Sequence, residues 1–479
     1  MVAVDAAWSS IRYRSVRMIK TDYLIVGAGA MGMAFADGMV SESDAHLVIV
    51  DRGHQPGGHW TRAYPFVRLH QPSAYYGVNS RRLETGFIDR VGWDEGLHEL
   101  ATGGDVCAYF DRVMQQELLP TGRVSYFPMS EYLGDGRIRN LAGTQFSVDV
   151  RQRVVDATYL QTVVPSMRPP PYPVADGVEC VAPNALPQAA PGHQRFVIVG
   201  AGKTGIDACL WLLRNGINPH RLTWVMPRDA WLLDRANVQP GAEFLDRFKA
   251  KFAARLDSIT AATSVDDLFD RLEASGVLLR IDPNVRPTMY RCATVSRPEL
   301  DQLRRIERVV RMGHVQRIEP GTMVLAGGTF DVDRPALYID CSADGLERRS
   351  GAPVFDGDRI TLQSVRGCQQ VFSAGLIAHV EVSYDDDSTK NSLCVPVPHP
   401  NTDLHWLDMT LAEHRNEISW IERPELMDWL ATSRLNLMRG LYAPMLERQR
   451  VRERLLGIVK SSLHKANDKL EELIVPSAV

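Results

Sequence analysis

The chain has 479 residues, of which 45% are hydrophobic, 23% charged and 8% aromatic, an ordinary globular composition with room for two or three domains. Its 54 basic and 58 acidic residues leave a formal net charge of -4, so nothing in the charge balance points to nucleic acid or an anionic membrane as a partner. Asp5, Arg12, Arg14, Arg17 and Lys20 break up the first twenty residues, and no later apolar run is long enough to span a bilayer, so a cytoplasmic location is expected.

Residues 1–20 read as an extension with no clear period. The pattern sharpens at Thr21. A short apolar run, Tyr23 to Val26, leads into Gly27-Ala28-Gly29-Ala30-Met31-Gly32, a helical stretch to about Val40 and a second apolar run, His46 to Val50, that ends on Asp51. Residues 120–160 alternate short apolar runs with turns such as Gly134-Asp135-Gly136-Arg137, the pattern of antiparallel strands. Residues 165–192 hold Pro165, Pro169, Pro170, Pro171, Pro173, Pro183, Pro187 and Pro191, which predicts an extended linker between domains. The first pattern then recurs: Phe196 to Val199, Gly200-Ala201-Gly202-Lys203-Thr204-Gly205, a helix to about Arg214, a strand Leu222 to Met226, and Pro227-Arg228. A second crossing is expected near Asp340-Cys341-Ser342-Ala343-Asp344-Gly345. After residue 400, Thr410–Ile418, Pro424–Ser433 and Leu446–Leu473 carry apolar residues at helical spacing. The last helix has both charge signs and no aromatic anchor, so it is expected to pack on its own domain, not on a membrane surface.

The fold class that follows is α/β, with two Rossmann-like dinucleotide-binding domains, the first one discontinuous, and a helical C-terminal segment. Expected boundaries are 1–165 for the first part, 166–339 for the second domain with an insertion, 340–400 for the return, and 401–479 for the helical segment. In such a turn the first glycine makes the bend, the second lets backbone approach a pyrophosphate, and the third lets helix pack on strand. Asp51 stands roughly 20 residues on, where a ribose-binding acid belongs. In the second unit Arg228 occupies that place, which favours the 2′-phosphate of NADPH, and Lys203 adds positive charge at the turn. Gly202-Lys203-Thr204 matches the end of a nucleotide-triphosphate loop, but that motif needs a glycine where Val197 stands.

Three further segments carry a resemblance. Asp51 is followed by Gly57-Gly58-His59-Trp60. Tyr64-Pro65-Phe66-Val67-Arg68-Leu69-His70-Gln71-Pro72-Ser73 leads to Tyr75-Tyr76-Gly77. Val154-Val155-Asp156-Ala157-Thr158 precedes the second turn. With Asp340-Cys341-Ser342-Ala343 as a return linker, residues 20–380 resemble the class B flavin-dependent monooxygenases, the flavin-containing, Baeyer–Villiger and N-hydroxylating group. Tyr159 replaces the linker glycine, and residues 174–183 lack the phenylalanine and histidine of that group's fingerprint, so the chain reads as a divergent branch.

The resemblance implies FAD at the first unit and NADPH at the second. Expected cofactor contacts are Gly27, Gly29, Ala30, Met31, Gly32, Asp51, Arg52, Gly58, His59, Trp60 and Met129, then Gly200, Gly202, Lys203, Thr204, Gly205 and Arg228. His70 and Gln71 are the candidate catalytic residues over the flavin edge, with His70 able to titrate near neutral pH, and Arg62 and Arg68 are candidates for an anionic group. The implied activity is NADPH-dependent oxygenation of a small organic substrate by O2 through a C4a-oxygen flavin adduct. Alternatives are a reductase that passes electrons on without oxygenation, and a redox sensor without turnover. No metal is expected, and Asp385-Asp386-Asp387 reads as a solvated turn. Arg280, Asp282, Arg286, Tyr290 and Arg291 are candidates for a substrate lid, and Lys390-Asn391 for the active site. The seven cysteines include no C-x-x-C pair, so the dithiol type of flavin reductase finds no support at short range, and most are expected to be buried small hydrophobes. The long C-terminal helix leaves room for a homodimer.

Overall fold

The computed structural model describes residues 18–343, 345–347, 349–443 and 449–475. Asp5, Arg12, Arg14, Arg17, Asp344 and Leu446, all named above, lie outside them. The chain opens with strand β1 (Met18–Val26), helix α1 (Ala30–Glu42) and β2 (Leu47–Val50), followed by β3 (Val124–Phe127), β4 (Ser130–Gly134), β5 (Arg137–Asn140) and β6 (Gln145–Asp156). The short β7 (Thr162–Val163) leads to β8 (Cys180–Val181), β9 (Phe196–Val199), helix α2 (Lys203–Arg214) and β10 (Leu222–Val225). Next come β11 (Ala230–Asp234), helices α3 (Ala242–Ala261) and α4 (Val265–Ala274), β12 (Leu278–Leu279), β13 (Met289–Val295) and β14 (Val309–Val310). A meander of β15 (Val315–Glu319), β16 (Thr322–Leu325) and β17 (Gly328–Asp331) precedes β18 (Leu337–Asp340). The chain returns through β19 (Gly345–Leu346), β20 (Phe355–Asp356) and β21 (Arg359–Thr361), and ends in helices α5 (Gln370–Ser383), α6 (Asp403–Ile421), α7 (Pro424–Thr432) and α8 (Gln449–Ile474).

Two sheets with parallel central strands form the frame, and β20 pairs antiparallel with β21 at the edge of the first. The first runs β20-β21-β6-β1-β2-β3, and the second runs β14-β10-β9-β18-β8. Each places its glycine-turn strand, β1 or β9, between the strand that follows it and the strand that ends the unit. That is the switch point where α/β sheets open a crevice for ligands. The central strands are continuous apolar runs, Leu47-Val48-Ile49-Val50 and Phe196-Val197-Ile198-Val199, because helices or other layers cover both faces. Antiparallel pairing between β4, β5 and β6 matches the alternation of the sequence. β3 differs: it pairs in parallel with β2 and completes the first sheet.

The proline-dense stretch is extended only in part, since Pro165–Met167, Pro183–Ala185 and Leu186–Ala189 turn helically, and it is not idle. Cys180 and Val181 pair with Tyr338 and Ile339 at the edge of the second sheet. The insertion after β11 also joins more than its own unit. Trp231, Leu256, Phe269 and Leu272 share one core with α1, α5 and the C-terminal helices, where Phe269 meets Trp406 edge-on at 5.5 Å. α1 lies close against α5, since a Cβ on Gly38 would come within 2.7 Å of the Ala378 Cβ. No helix among the described residues is long and apolar enough to cross a membrane.

Candidate cofactor turns and the cleft between them

The two turns are built alike, atom for atom in places. Gly27 and Gly200 have φ of 106° and 118°, a region that suits glycine. A Cβ on Gly32 would sit 2.0 Å from the Gly27 carbonyl oxygen, and one on Gly205 would sit 2.0 Å from that of Gly200. The first and third glycines are therefore required by the protein itself. The second glycines are not. Gly29 and Gly202 have φ of -72° and -78°, which any L-residue adopts. A Cβ on Gly29 would meet only Gly58 Cα at 3.7 Å, and one on Gly202 would meet nothing within 4 Å. Each lies at the start of its helix, where backbone N–H groups face an anion. The open side of these two residues fits a pyrophosphate that needs the space.

Each unit also closes with the same device. The Asp156 carboxylate, at the end of β6, accepts from the Thr158 N–H at 2.9 Å and the Thr158 hydroxyl at 2.7 Å. At the end of β18, Asp340 accepts from the Ser342 N–H at 3.1 Å. These linkers pack on the first glycines: a Cβ on Gly27 would touch Thr158 at 3.0 Å, and one on Gly200 would touch the Cys341 carbonyl at 2.6 Å. Tyr159, in place of a linker glycine, donates its hydroxyl to the Ser350 carbonyl at 2.8 Å.

Asp51 is locked to the first turn. One carboxylate oxygen accepts from the Ala28 N–H and the other from the Gly53 N–H, both at 2.6 Å. Met129, at positive φ, donates its N–H to the Gly53 carbonyl at 2.8 Å, which puts it beside Asp51. Arg52 is exposed and pairs with Glu131 at 2.7 Å. Gly57 and Gly58 turn the chain back toward the helix start, and Gly57 donates to the Ala28 carbonyl at 2.9 Å.

Between the units lies a cleft of about 310 Å³, walled by His59, Trp60, Tyr64, Arg68, His70 and Gln71 from the first and by Gly202, Lys203 and Thr204 from the second. Trp60 donates its indole N–H to the Tyr76 hydroxyl at 2.7 Å. Phe66 stacks on Trp211 of α2 at 5.3 Å, and Tyr64 donates to Asp207 at 2.7 Å, so the aromatic segment ties the units together. Buried Arg235 adds a second tie: it donates to Glu299 at 2.8 Å and to the His70 carbonyl at 3.2 Å, and it also bonds Asp94.

Among curated proteins, the chain is 60% identical over 467 residues to an uncharacterized protein of Mycobacterium tuberculosis and to one of Mycobacterium bovis, covering 98% of this chain and 87% of each relative. The chain belongs to their family. Residues 25–80 match the model of an NAD(P)-binding Rossmann-like domain. Among solved structures, the chain is similar to a flavin-containing monooxygenase from Stenotrophomonas maltophilia (16% identity, 76% of this chain and 98% of that one, TM-score 0.45). It is also similar to an oxidized steroid monooxygenase bound to NADP (13% identity, 76% and 85%, TM-score 0.48).

This family member holds several expected residues differently from the sequence reading. His70 lines the cleft with Gln71, but burial, with Lys203 and Arg235 nearby, pushes its pKa down to about 3. It is neutral at physiological pH and is no neutral-pH switch. Its Nδ1 is buried without a hydrogen-bond partner among the described residues. His59 is likewise pushed down to about 4 by burial. Lys203 does not point freely at the turn. It pairs with Asp207 one turn along α2 and donates to the Arg68 carbonyl at 3.2 Å. Arg228 donates to the Asn401 side-chain oxygen at 2.9 Å, and Arg291 donates to the same oxygen at 3.0 and 2.7 Å, so two guanidinium groups converge beside the second unit.

Of the lid candidates, only Arg291 lines the cleft. Arg280 pairs with Glu273, Arg286 with Asp270 at 2.7 Å and Asp282 with Arg311 at 3.2 Å, while Tyr290 is core. Arg62 is exposed, and its carbonyl accepts from Ser166. Lys390 and Asn391 serve structure instead of the site: Lys390 pairs with buried Glu381 at 2.6 Å, and Asn391 brackets the Phe355 backbone. Asp386 caps a short helix and Asp387 pairs with Arg153 at 2.6 Å. No cluster of three or more metal-ligating side chains occurs among the described residues.

The largest departure concerns cysteine. Cys209, Cys341 and Cys394 are buried, as expected, and burial pushes all three thiols up. Cys292 and Cys368 are not isolated hydrophobes. They form a disulfide across 76 residues of sequence, and both line the cleft. His399 and Gln370 stand with them in the wall. No local spacing in the sequence signals this pair.

Proposed function

We propose that this chain is an FAD- and NADPH-dependent oxidoreductase whose two cofactors meet in the cleft between its units. One observation carries the reading: Gly29 and Gly202 are glycines for which the protein has no internal use, and both open onto space at the helix starts. A ligand that must approach the backbone explains both. The first unit suits FAD, because the segment after Asp51 folds back over its turn and supplies the aromatic wall of His59, Trp60 and Tyr64. Asp51 would take the ribose, with Arg52 and Met129 around the adenosine end. The second unit suits NADPH, with Gly200 to Gly205 at the pyrophosphate and Arg228 for the 2′-phosphate.

When bound, the pair supplies hydride transfer from nicotinamide to flavin. The chain's own residues hold the two rings, exclude water with the aromatic wall, and offer neutral His70 and Gln71 as hydrogen-bonding groups. A volume of about 310 Å³ admits a small molecule. In the monooxygenase form of the reading, that molecule and O2 share the cleft, consistent with the motif resemblance of residues 51–77. A second form, reduction without oxygenation, is favoured by the disulfide in the cleft wall.

The test is direct. The purified protein is assayed for bound flavin, mixed with NADPH or NADH without oxygen, and then exposed to O2 with candidate substrates. Bleaching by NADPH, followed by product formation matched to NADPH used, supports the oxygenase. Stoichiometric peroxide with every substrate removes oxygenation and leaves the reductase. Failure to bind flavin, or to bleach, removes the whole reading.

A further inference from the structure

We infer that the Cys292–Cys368 disulfide is redox-active and takes electrons from the reduced flavin. This rests on the FAD and NADPH reading above, but not on oxygenation. Four observations point the same way. Both sulfurs belong to residues that line the cleft where the two units face each other, alongside Gly202 and Thr204 on one side and Trp60 and His70 on the other. The two cysteines come from different parts of the fold: Cys292 from the middle of β13 and Cys368 from the loop just before α5. Cys368 thus sits two residues before the first residue of a 14-residue helix, whose N-terminal end stabilises a thiolate. Finally, the Cys368 sulfur lies 3.9 Å from His399 Nδ1, within contact distance of a group that can hold or release a proton.

The step balances within the chain and its two cofactors. Two electrons enter from the reduced flavin and the Cys292–Cys368 bond breaks, while the flavin returns to its oxidised form and gives up one proton. That proton converts one of the two sulfurs, Cys292, to a thiol, and Cys368 remains the thiolate beside His399 and the helix end. Summed with flavin reduction, one NADPH yields one NADP+, one thiol and one thiolate. The dithiol then acts on an acceptor of one chemical class, a disulfide small enough to enter the cleft. The Cys368 thiolate attacks it and expels one acceptor sulfur as a thiolate, Cys292 resolves the mixed disulfide and gives up its proton, and the acceptor leaves as one thiol and one thiolate, the latter taking its proton from water. Arg68 in the same wall favours an acceptor that carries a carboxylate.

The experiment counts thiols and electrons separately. The full-length flavoprotein is titrated with NADPH without oxygen, quenched with a maleimide reagent, and its labelled cysteines are mapped by mass. The expected result is uptake of four electrons per flavin, with labelling appearing at Cys292 and Cys368. In the Cys292→Ser/Cys368→Ser variant, uptake falls to two. Bleaching of the flavin after two electrons in the wild-type protein, with Cys292 and Cys368 still unlabelled, overturns the inference and makes the disulfide a staple between units. If NADPH does not bleach the flavin, the cofactor reading fails. Photoreduction of the bound flavin in the same cell then tests the disulfide step alone: labelled Cys292 and Cys368 support it, and unlabelled ones overturn it.

Discussion

The first and second glycine turns share a frame, down to the linker that packs on each first glycine, yet they hold their charged residues in opposite ways. Asp51 is fixed by two backbone N–H groups of its own turn region. Lys203 and Arg228 are instead engaged by side chains, Asp207 and Asn401, that a phosphate would have to displace or share. A preformed carboxylate suits a cofactor that stays. Cations already engaged elsewhere suit one that comes and goes, because part of the binding energy goes into exchanging partners. The difference accords with a resident flavin and an exchanging nicotinamide.

Breaking the first side should have the larger effect. Asp51→Ala leaves the buried Ala28 N–H without its acceptor, which costs about 1–3 kcal/mol. The expected outcome is a lowered Tm together with at least a roughly tenfold loss of flavin affinity, about 1.4 kcal/mol, read as the flavin-to-protein ratio after dialysis. Full flavin retention would show that Asp51 only braces the turn. Arg228→Ala should act more narrowly. It is expected to raise the KM for NADPH by roughly tenfold, about 1.4 kcal/mol, and leave that for NADH nearly unchanged. Equal changes for both would remove the arginine from cofactor choice.

The prediction least tied to cofactor choice concerns pH. His70 titrates near 3 in the folded chain, below the ordinary histidine value of about 6.5. The folded state therefore binds fewer protons, and stability is full above about pH 6.5 and declines as pH falls toward 3. His59, near 4, and His414, near 3, act with the same sign. Tm should fall as pH drops from about 6.5 to about 5, and His70→Gln should reduce the slope. NADPH-driven bleaching should show no inflection from His70 between pH 6 and 8. An inflection there that His70→Gln abolishes would contradict the burial argument.

Much of this frame was legible in the chain, because a strand, a glycine turn and a helix are local patterns. The boundaries of α2 and β9 fall where the apolar runs and Gly200 to Gly205 put them. His70 and Gln71 were placed in the cleft by their position after the Gly-Gly-x-Trp loop. What sequence could not carry is long-range or environmental. The Cys292–Cys368 contact joins residues 76 apart in different elements, and only the folded sheets bring them together. The neutral state of His70 depends on burial and on Lys203 and Arg235, which are far off in sequence. Lys203 reads as a phosphate ligand, and that Asp207, one helical turn on, competes for it emerges only once the helix forms.

The claim that two ligands, not the protein, require Gly29 and Gly202 has one direct test. Gly29→Ala and Gly202→Ala are compared with wild type for Tm, bound flavin and anaerobic bleaching by NADPH. Alanine fits the backbone at both sites, so each variant should fold with a stability change of no more than about 1 kcal/mol, the scale of a helix-cap substitution. Gly29→Ala should nevertheless lose most of its flavin. Gly202→Ala should keep its flavin and bleach at least tenfold more slowly, about 1.4 kcal/mol. Variants that fold, carry full flavin and bleach at the wild-type rate would contradict the account.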